Sequence, residues 1–409
     1  MSKTMRTPVA IGLMIALLIT MSGCTVSEDL TKTATSKPVA GVSDLNADSV
    51  KLTDLGVRLF QAMNTEEENT LISPISILYA LAMTMNGAKG ETLEQMQSVL
   101  GMPPEEMNPY LYSYMRSLPQ SEKAKLTLAN SIWIADNRNI HVNGEFLQCN
   151  ADYYGADIYK TPFNNATLSD INGWVKENTD GMIPEILQEI SPDTVMYLIN
   201  ALAFDAQWNV VYEEHQVRPG TFTNEDGSET EAEFMYSSEH AYIRDEKASG
   251  FVKYYCGSDY AFVALLPDEG VTVSEYVDSL TGERLQALLA DPEYAEVNAG
   301  LPKFETEYTI ELSETLRNMG MPNAFDSRCA DFSGIDNSLY ISMVLHKTYI
   351  SVAEQGTRAG AATIVGMDNG CIIQPDPIEI NLNRPFVYLL IDCETNIPFF
   401  MGTMMTPGG

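Results

Sequence analysis

Residues 354–363 read Glu354-Gln355-Gly356-Thr357-Arg358-Ala359-Gly360-Ala361-Ala362-Thr363, and Ile364 and Val365 follow. In a β-strand, alternate side chains point to opposite faces. One face of this stretch would then carry only small or β-branched side chains, namely Thr357, Ala359, Ala361, Thr363 and Val365. The only charge between Glu354 and Met367 is Arg358, which falls on the other face. No Pro interrupts residues 354–374, so nothing in this stretch blocks the hydrogen bonds of a strand.

On both sides of this stretch, the patterns of apolar residues mix helices and strands without a regular β-α-β alternation. Ser73 precedes Pro74 and an apolar run to Met83, which predicts a capped and buried helix. Helical patterns also occur at 92–100, with Thr92 as the cap, at 170–179 and at 312–319. Strand patterns occur at 126–134, 194–204, 251–266, 340–353, 378–382, 386–393 and 399–404. No repeat or linker follows residue 48, so we expect one large α+β domain over 49–409.

The first 48 residues have the composition of an export signal followed by a tether. A basic start leads into an apolar run over 9–21, which is shorter than the ~20 residues of a membrane span and is typical of a signal peptide. Ser22-Gly23-Cys24 then resembles a bacterial lipobox. We therefore expect a signal peptide over 1–23 and a lipidated Cys24 that begins a flexible tether over 24–48. A plain secretory signal with an incidental Cys is the alternative.

The charge of the chain excludes several classes of partner. It has 24 Lys+Arg against 56 Asp+Glu, a formal net charge of -32. Nucleic acids and anionic lipid surfaces both require basic patches, so neither is an expected partner. With four His and none of the common catalytic or nucleotide-binding motifs, the sequence predicts no enzymatic activity, no cofactor and no metal site.

Five motifs in order along residues 51–407 resemble the serpin family of serine protease inhibitors. They are Asn69-Thr70-Leu71-Ile72-Ser73-Pro74-Ile75-Ser76; Asn200-Ala201-Leu202-Ala203-Phe204 with Trp208; Leu301-Pro302-Lys303-Phe304; His346-Lys347 leading to the stretch quoted above; and Asn383-Arg384-Pro385-Phe386 with Phe400-Met401-Gly402. Each motif alone has little specificity, but their order and spacing together are specific. The resemblance implies a serpin fold, with a large central, mostly antiparallel sheet, two further sheets, about eight or nine helices and an exposed reactive-centre loop over about 354–377.

The resemblance also implies roles for individual residues. In serpins a protease cleaves the reactive loop, which then inserts as a strand into the central sheet. The hinge of that loop would be Glu354, Gly356, Thr357, Arg358, Ala359, Gly360, Ala361, Ala362 and Thr363. The shutter, at the middle of the sheet, would contain Ser73, Ser76, Asn200 and His346, with a hydrogen bond between Asn200 and His346. The breach, where the loop enters, would contain Trp208 and Lys303, with Lys303 paired to Glu354.

Family spacing from Glu354 puts the reactive bond at Gly370–Cys371. The surrounding window contains Met367, Asp368, Asn369, Ile372 and Ile373. Because the window has no Lys or Arg, a trypsin-like target is disfavoured. Small and apolar residues there favour an elastase-like or subtilisin-like serine protease.

The serpin resemblance implies a monomeric inhibitor that forms a covalent acyl-enzyme with its target protease, and the lipobox-like sequence implies that it is secreted and bacterial. Its contact with a membrane would be only through the lipid on Cys24. Residues 103–125, where heparin-binding members carry basic clusters, have three basic residues among several acids, so we expect no heparin activation. The small hinge residues favour inhibition. A non-inhibitory serpin acting as a surface binding protein, or an inhibitor of a cysteine protease, remains the alternative.

Overall fold

The computed structural model describes residues 27–65, 68–136, 140–191, 194–357 and 376–407. The expected signal peptide lies outside these ranges, as do several residues with predicted roles. Those residues are Cys24, Arg358, Ala359, Gly360, Ala361, Ala362, Thr363, Met367, Asp368, Asn369, Gly370, Cys371, Ile372 and Ile373.

Nine α-helices lie within the described ranges. They are α1 (Ser49–Met63), α2 (Pro74–Met85), α3 (Gly90–Leu100), α4 (Pro104–Ser117), α5 (Gly144–Tyr153), α6 (Asn165–Asn178), α7 (Val273–Asp278), α8 (Gly282–Ala290) and α9 (Ser313–Met319). The predicted cap of α2 is confirmed, since the Ser73 hydroxyl accepts the Ser76 amide and every residue of the helix is buried. The predicted cap of α3 is wrong. The helix begins at Gly90, and Thr92 instead accepts a hydrogen bond from the amide of Asp331.

The strands of the described ranges form two sheets. The strands are β1 (Glu28–Asp29), β2 (Leu71–Ile72), β3 (Ala124–Ala135), β4 (Asp157–Thr161), β5 (Met196–Gln207), β6 (Val217–Thr223), β7 (Glu229–Arg244), β8 (Ala248–Tyr254), β9 (Tyr260–Pro267), β10 (Glu293–Pro302), β11 (Phe304–Glu311), β12 (Met343–Ala353), β13 (Gly356–Thr357), β14 (Ile378–Asn381), β15 (Phe386–Asp392) and β16 (Pro398–Met404). The first sheet has the order β1-β4-β3-β5-β13-β12-β11.

The second sheet has the order β14-β10-β7-β8-β9-β15-β16-β2, with β6 also paired to β7. The sheet extends over so many strands because β7 is 16 residues long. Its first part pairs with β6 and its last residues pair with β8, while β10 lies along most of it. The two smaller sheets implied by the family resemblance therefore share β7 and continue as one hydrogen-bonded sheet.

The main core lies between the two sheets, and a second apolar cluster lies on the other face of the first sheet. In β12, alternate residues are buried, which is the pattern of a strand with one face on the core. In β5 every residue but one is buried, because helix α6 covers the face that points away from the main core. The residues of the second cluster include Trp133, Ile171, Val175, Tyr197 and Ile199.

Residues 27–46 contact the fold, which differs from the flexible tether that their composition predicts. Strand β1 pairs with β4, and the Leu30 side chain is buried. Further along, the Val42 amide donates to the Ser113 hydroxyl at 2.8 Å, and the Tyr110 hydroxyl donates to the Leu45 carbonyl at 2.7 Å. Composition does not predict such pairings, because the partners belong to residues distant in sequence. Within the described ranges, no helix has the length and apolar character needed to cross a membrane.

Candidate functional site

The first sheet is closed at one end and held apart at the other by two hinge residues. At the closed end, Tyr197–Asn200 of β5 pair directly and in parallel with Met343–His346 of β12. At the other end, Gly356 and Thr357 form β13 between the same two strands, antiparallel to both. The chain therefore enters the sheet as a new central strand, and only two residues separate this strand from the end of β12.

Between these two ends, residues 201–205 of β5 and residues 347–351 of β12 have no described ladder pairs with each other. The offset between the two strands is nevertheless the same at both ends. Ala206 lies six residues after Asn200, and Val352 lies six residues after His346. A longer strand could thus follow β13 between them without any shift in register.

Thr357 points toward the main core and is held there by a hydroxyl pair. Its side chain is only 2% exposed, and its Oγ1 lies 2.5 Å from the Tyr255 hydroxyl oxygen. Burial raises the pKa of Tyr255, so the phenol keeps its proton. The Tyr255 ring in turn stacks on Trp208, with ring centroids 4.4 Å apart. This contact positions the inward face of any strand that continues β13.

Trp208 and Tyr212 hold the backbone that leads into the hinge. The Trp208 indole N–H donates to the Ala353 carbonyl at 2.8 Å, and its amide donates to the Gln355 carbonyl at 2.9 Å. The Tyr212 amide donates to the Glu354 carbonyl at 3.0 Å. Three donors on one segment therefore set the point at which the chain turns into the sheet.

A buried ion pair lies beneath this segment. Lys253 Nζ is 2.6 Å from Glu239 Oε1, and the two side chains are 2% and 14% exposed. The ammonium also lies 4.4 Å from the ring centroid of Tyr212 and 5.5 Å from that of Trp208. Burial works against the charge, but Tyr212 and Glu239 outweigh it and raise the pKa of Lys253. The pair thus supports both aromatic residues of the breach.

The ion pair expected between Lys303 and Glu354 is present and includes a second carboxylate. Lys303 Nζ lies 2.9 Å from Glu354 Oε1 and 2.8 Å from Glu233 Oε2. The hydrogen bonds that the Lys303 ammonium donates to Glu233 and Glu354 raise the pKa of Lys303. Desolvation opposes the charge of Glu354, but Lys303 holds the pKa of that carboxyl below its usual range. Because all three groups are partly exposed to solvent, we expect only ~0–1 kcal/mol from each contact.

The hydrogen bond expected between Asn200 and His346 is absent, although the two residues are neighbours in the ladder. Asn200 donates instead to the Asn130 side chain, which lies directly opposite it on β3. His346 Nε2 accepts the Ser73 amide at 3.0 Å, because the start of α2 places that amide against the ring. Asn200 Oδ1 and His346 Nδ1 are buried without partners. Ser76 is buried in the first turn of α2.

His346 makes the stability of the protein depend on pH. Burial lowers the pKa of His346 from its ordinary 6.5 to about 3. The unfolded chain therefore binds a proton that the folded chain rejects. The contribution of His346 to the free energy of unfolding is complete above pH 6.5. It is lost as the pH falls toward 3, at about 1.4 kcal/mol per pH unit.

We expect the stability advantage of the wild type over His346→Gln to shrink by about 2–3 kcal/mol between about pH 7 and pH 4.5. Gln keeps an acceptor for the Ser73 amide but does not titrate in this range. Urea unfolding of both proteins at the two pH values measures the difference. An advantage that does not change with pH would show that His346 accepts a proton in the folded state.

Gly356 is required by the backbone at the start of β13. Its φ is +151°, and an added Cβ would lie 2.0 Å from the Ala206 carbonyl oxygen. Gly356→Ala should therefore release β13 and lower the protection of the Thr357 amide from hydrogen exchange by at least about tenfold. Gly270→Ala is the control, because Gly270 also has positive φ but has open space around it. Equal protection in the Gly356 variant and the wild type would contradict this account.

Sequence reasoning missed Tyr255, Lys253, Glu239 and Tyr212. One signal was available, since Lys253 interrupts an apolar strand and a charge in such a position requires a partner. The partner could not be identified, because nothing in the pattern of β7 distinguishes Glu239 from its other acids. In the described part of the chain, no group of three or more His, Cys, Asp or Glu side chains is arranged to hold a metal ion.

Comparisons with known sequences agree on one family. The sequence model described as Serpin (serine protease inhibitor) matches residues 50–407. An uncharacterized serpin-like protein of Thermococcus kodakarensis is 30% identical over 394 residues, covering 94% of this chain and 89% of that one. Leukocyte elastase inhibitor A of Mus musculus is 29% identical over 373 residues, covering 86% of this chain and 97% of its own length.

Solved structures agree with the sequences. The native state of the thermophilic serpin Tengpin is 46% identical, with a TM-score of 0.89, and the match covers 93% of this chain and 99% of that one. Human thyroxine-binding globulin in complex with its ligand matches with a TM-score of 0.80 over 89% of this chain and 100% of that one. At 24% identity the second likeness concerns the fold alone. Because that protein is named for binding thyroxine, the fold by itself does not establish protease inhibition.

Proposed function

The chain belongs to the serpin family, whose members generally inhibit proteases and are not themselves enzymes, and on that premise we propose that it traps serine proteases through its reactive loop. The observation that carries the proposal is β13. Two hinge residues already pair with both β5 and β12, and they do so in the direction that an inserting strand requires. The proposal therefore rests on the geometry of the sheet in addition to family membership.

Continuing the β13 register shows where each later hinge residue would lie after insertion. Thr357 pairs with Ala206, so Thr363 would lie between Asn200 and His346. Since Thr357 faces the core, the residues that follow it on the inward face would be Ala359, Ala361, Thr363 and Val365. All are small or β-branched, so they can pack beside the buried side chains of β12 without overpacking.

The proposed trap is an interrupted proteolysis. The protease serine oxygen attacks the carbonyl carbon of the reactive bond, the C–N bond breaks, and the protonated amine leaves with the C-terminal part of the chain. The new ester joins the protease to the N-terminal part of the loop. Insertion of that part as a strand then carries the protease away before water can cleave the ester. Strain held in a kinetically trapped native state would drive this step.

We propose an elastase-like or subtilisin-like target that cuts at Gly370–Cys371, because Gly370, Cys371 and Ile372 are small or apolar and the surrounding window has no Lys or Arg. The mouse relative carries the name leukocyte elastase inhibitor, which agrees with this choice. The lipobox-like sequence at Cys24 supports a position outside the cell and attachment to a membrane through lipid. Together these features favour an inhibitor that guards a cell surface, and we propose that it acts as a monomer.

The test is to mix the mature protein with an elastase, a chymotrypsin-like enzyme and a subtilisin. We expect an SDS-stable adduct on a denaturing gel and a C-terminal fragment that begins near Cys371, identified by mass spectrometry. A protease whose active-site serine is replaced by alanine is the matched control and should give no adduct. Cleavage of the loop by all three enzymes, without adduct and without a gain in heat stability, would favour a non-inhibitory binding protein. A cysteine protease in a parallel mixture tests the alternative that the chain inhibits a cysteine protease.

A further inference from the structure

Residues 27–46 lie against the outside of the fold and contact four of its elements. Strand β1 pairs with β4, and the Ser27 hydroxyl donates to Asp170 of α6 at 2.5 Å. Further along, the Lys37 amide donates to Asp152 of α5 at 2.6 Å. Two more hydrogen bonds join the segment to side chains of α4. The segment is therefore bound to the domain at intervals along its length.

These contacts can break without opening the core. Leu30 is the one buried side chain among residues 27–46, and the hydrogen bonds to α4, α5 and α6 lie at least partly in solvent. Only Glu28 and Asp29 form the ladder with β4. Such exposed hydrogen bonds open easily, because water replaces the lost partners. The segment can therefore detach while the rest of the domain stays folded.

The segment begins at the end of the first sheet toward which the reactive loop would insert. One row of ladder pairs crosses the sheet there, and it contains Glu28, Lys160, Ile134 and Met196. Thr357 pairs with Ala206, which lies ten residues further along the same strand as Met196. The entrance of the loop is thus about 33 Å from this row, at the opposite end of the sheet.

A trapped protease would arrive beside the same row. Continuing the β13 register places Met367 next to Met196, so Gly370 and its ester would lie about 10 Å past the row. Strand β1 enters the sheet from this side, about 19 Å away across four strand spacings. Cys24 precedes Glu28 by four residues, so the lipid would lie at most about 14 Å from the row.

The membrane and the trapped protease would therefore compete for one space. A protease domain of about 230 residues has a radius of gyration of about 17 Å and is roughly 45 Å across. The bound segment leaves about 14 Å between the sheet and the lipid. Once detached, residues 24–46 could span up to about 75 Å. Turning the domain on its side is the other way to make room, but its net charge of -32 opposes contact with anionic lipid.

We propose that residues 27–46 form a releasable tether. While the tether is bound, it holds one end of the first sheet close to the membrane and presents the loop on the far side. When the loop inserts, the arriving protease displaces the tether from β4, α4, α5 and α6. The inference rests on the proposed function and goes beyond it, because it gives a surface remote from the loop a role in trapping at a membrane.

The experiment joins β1 to β4 by a disulfide and measures trapping on a membrane and in solution. Glu28→Cys and Lys160→Cys are combined, because opposed residues of an antiparallel pair have the Cα spacing that a disulfide requires. The two single variants are the matched controls. The lipidated protein on vesicles of phosphatidylcholine and phosphatidylglycerol is compared with its soluble Cys24→Ser form. The protease is the one that reacts fastest among an elastase, a chymotrypsin-like enzyme and a subtilisin.

On vesicles, we expect the cross-linked protein to consume at least about tenfold more inhibitor molecules per trapped protease than the wild type. In solution the two proteins should consume the same number. Hydrogen exchange gives a second measurement. The amides of residues 28–30 should exchange at least about tenfold faster in the wild-type adduct on vesicles than in the uncleaved protein. If the cross-link impairs trapping in solution as well, the exchange measurement decides alone.

Three results would overturn the releasable tether, and the first two leave inhibition standing. A cross-linked protein that traps on vesicles as efficiently as the wild type would show that the domain turns about its anchor instead, as would unchanged exchange of residues 28–30. Absence of lipid on Cys24 by mass spectrometry would remove the membrane from the argument. If the wild type forms no adduct in solution, the proposed function fails and the tether fails with it.

Discussion

Replacing Thr357 with Arg is expected to convert the inhibitor into a substrate. Thr357 is buried between β5 and β12 and contacts the Tyr255 hydroxyl, so an arginine there would have to carry its charge into the core. Burial of an unpaired charge costs several kcal/mol, and about 1.4 kcal/mol changes a rate tenfold. Water would then cleave the acyl-enzyme ester faster than the loop could insert. We expect the number of inhibitor molecules consumed per trapped protease to rise at least about tenfold.

Titration of protease activity against inhibitor measures this number, and gels show the cleaved chain in place of the adduct. Thr357→Ser is the matched control, because serine keeps the hydroxyl that contacts Tyr255. A Thr357→Arg variant that still traps protease at full stoichiometry would contradict the expectation that loop insertion requires an uncharged side chain at this position. The Arg variant should be cleaved at least as fast as the wild type, since the reactive bond itself is unchanged.

The second large effect is expected at the buried pair of Lys253 and Glu239. Glu239→Gln leaves the ammonium buried beneath Trp208 and Tyr212 without a counter-charge. Breaking such a pair from one side typically lowers stability by about 3–5 kcal/mol. We expect a matching fall in the urea concentration at which the native state unfolds. Because the pair supports the segment that holds the hinge, exchange of the Thr357 amide should also accelerate.

Two further variants separate the charge from the packing. Lys253→Met together with Glu239→Leu removes both charges and should recover most of the loss, since apolar pairs of similar size often replace buried ion pairs without cost. Asp326→Asn breaks an exposed pair with Arg328, whose side chain is largely exposed, and should change stability by less than ~1 kcal/mol. If Glu239→Gln has as small an effect as Asp326→Asn, solvent reaches Lys253 and the pair is not buried in solution.

Much of the fold could be predicted from local sequence, because local patterns report local physics. Ser73 and Pro74 predict the start of α2 through capping and a fixed backbone angle, and the helix begins there. The pattern at 340–353 predicts a strand, and β12 occupies most of that range with alternate residues buried. Where a side chain has a distant partner, the local pattern misleads. Thr92 is a residue type that commonly caps helices, but its hydroxyl accepts a hydrogen bond from the Asp331 amide.

The contacts of the site could not be predicted in this way. Tyr255 and Thr357 are 102 residues apart in the chain, and their contact exists only because β5, β12 and the turn after β8 converge. Asn200 and His346 have the family positions for a mutual hydrogen bond. In the folded protein Asn200 donates instead to the Asn130 side chain, and His346 accepts the Ser73 amide at the start of α2.

By itself, the amino-acid sequence determined the family and the α+β fold class, and it predicts a single domain over 49–409 and a hinge with small side chains on one face, since each of these depends on residue types and their spacing. Only the tertiary structure decided that Gly356 and Thr357 already occupy the sheet and that a buried Lys253–Glu239 pair supports the entrance. It also decided that residues 27–46 contact the fold. The physical reason is that hydrogen bonds and buried charges depend on which distant groups meet, and residue order alone does not specify those meetings.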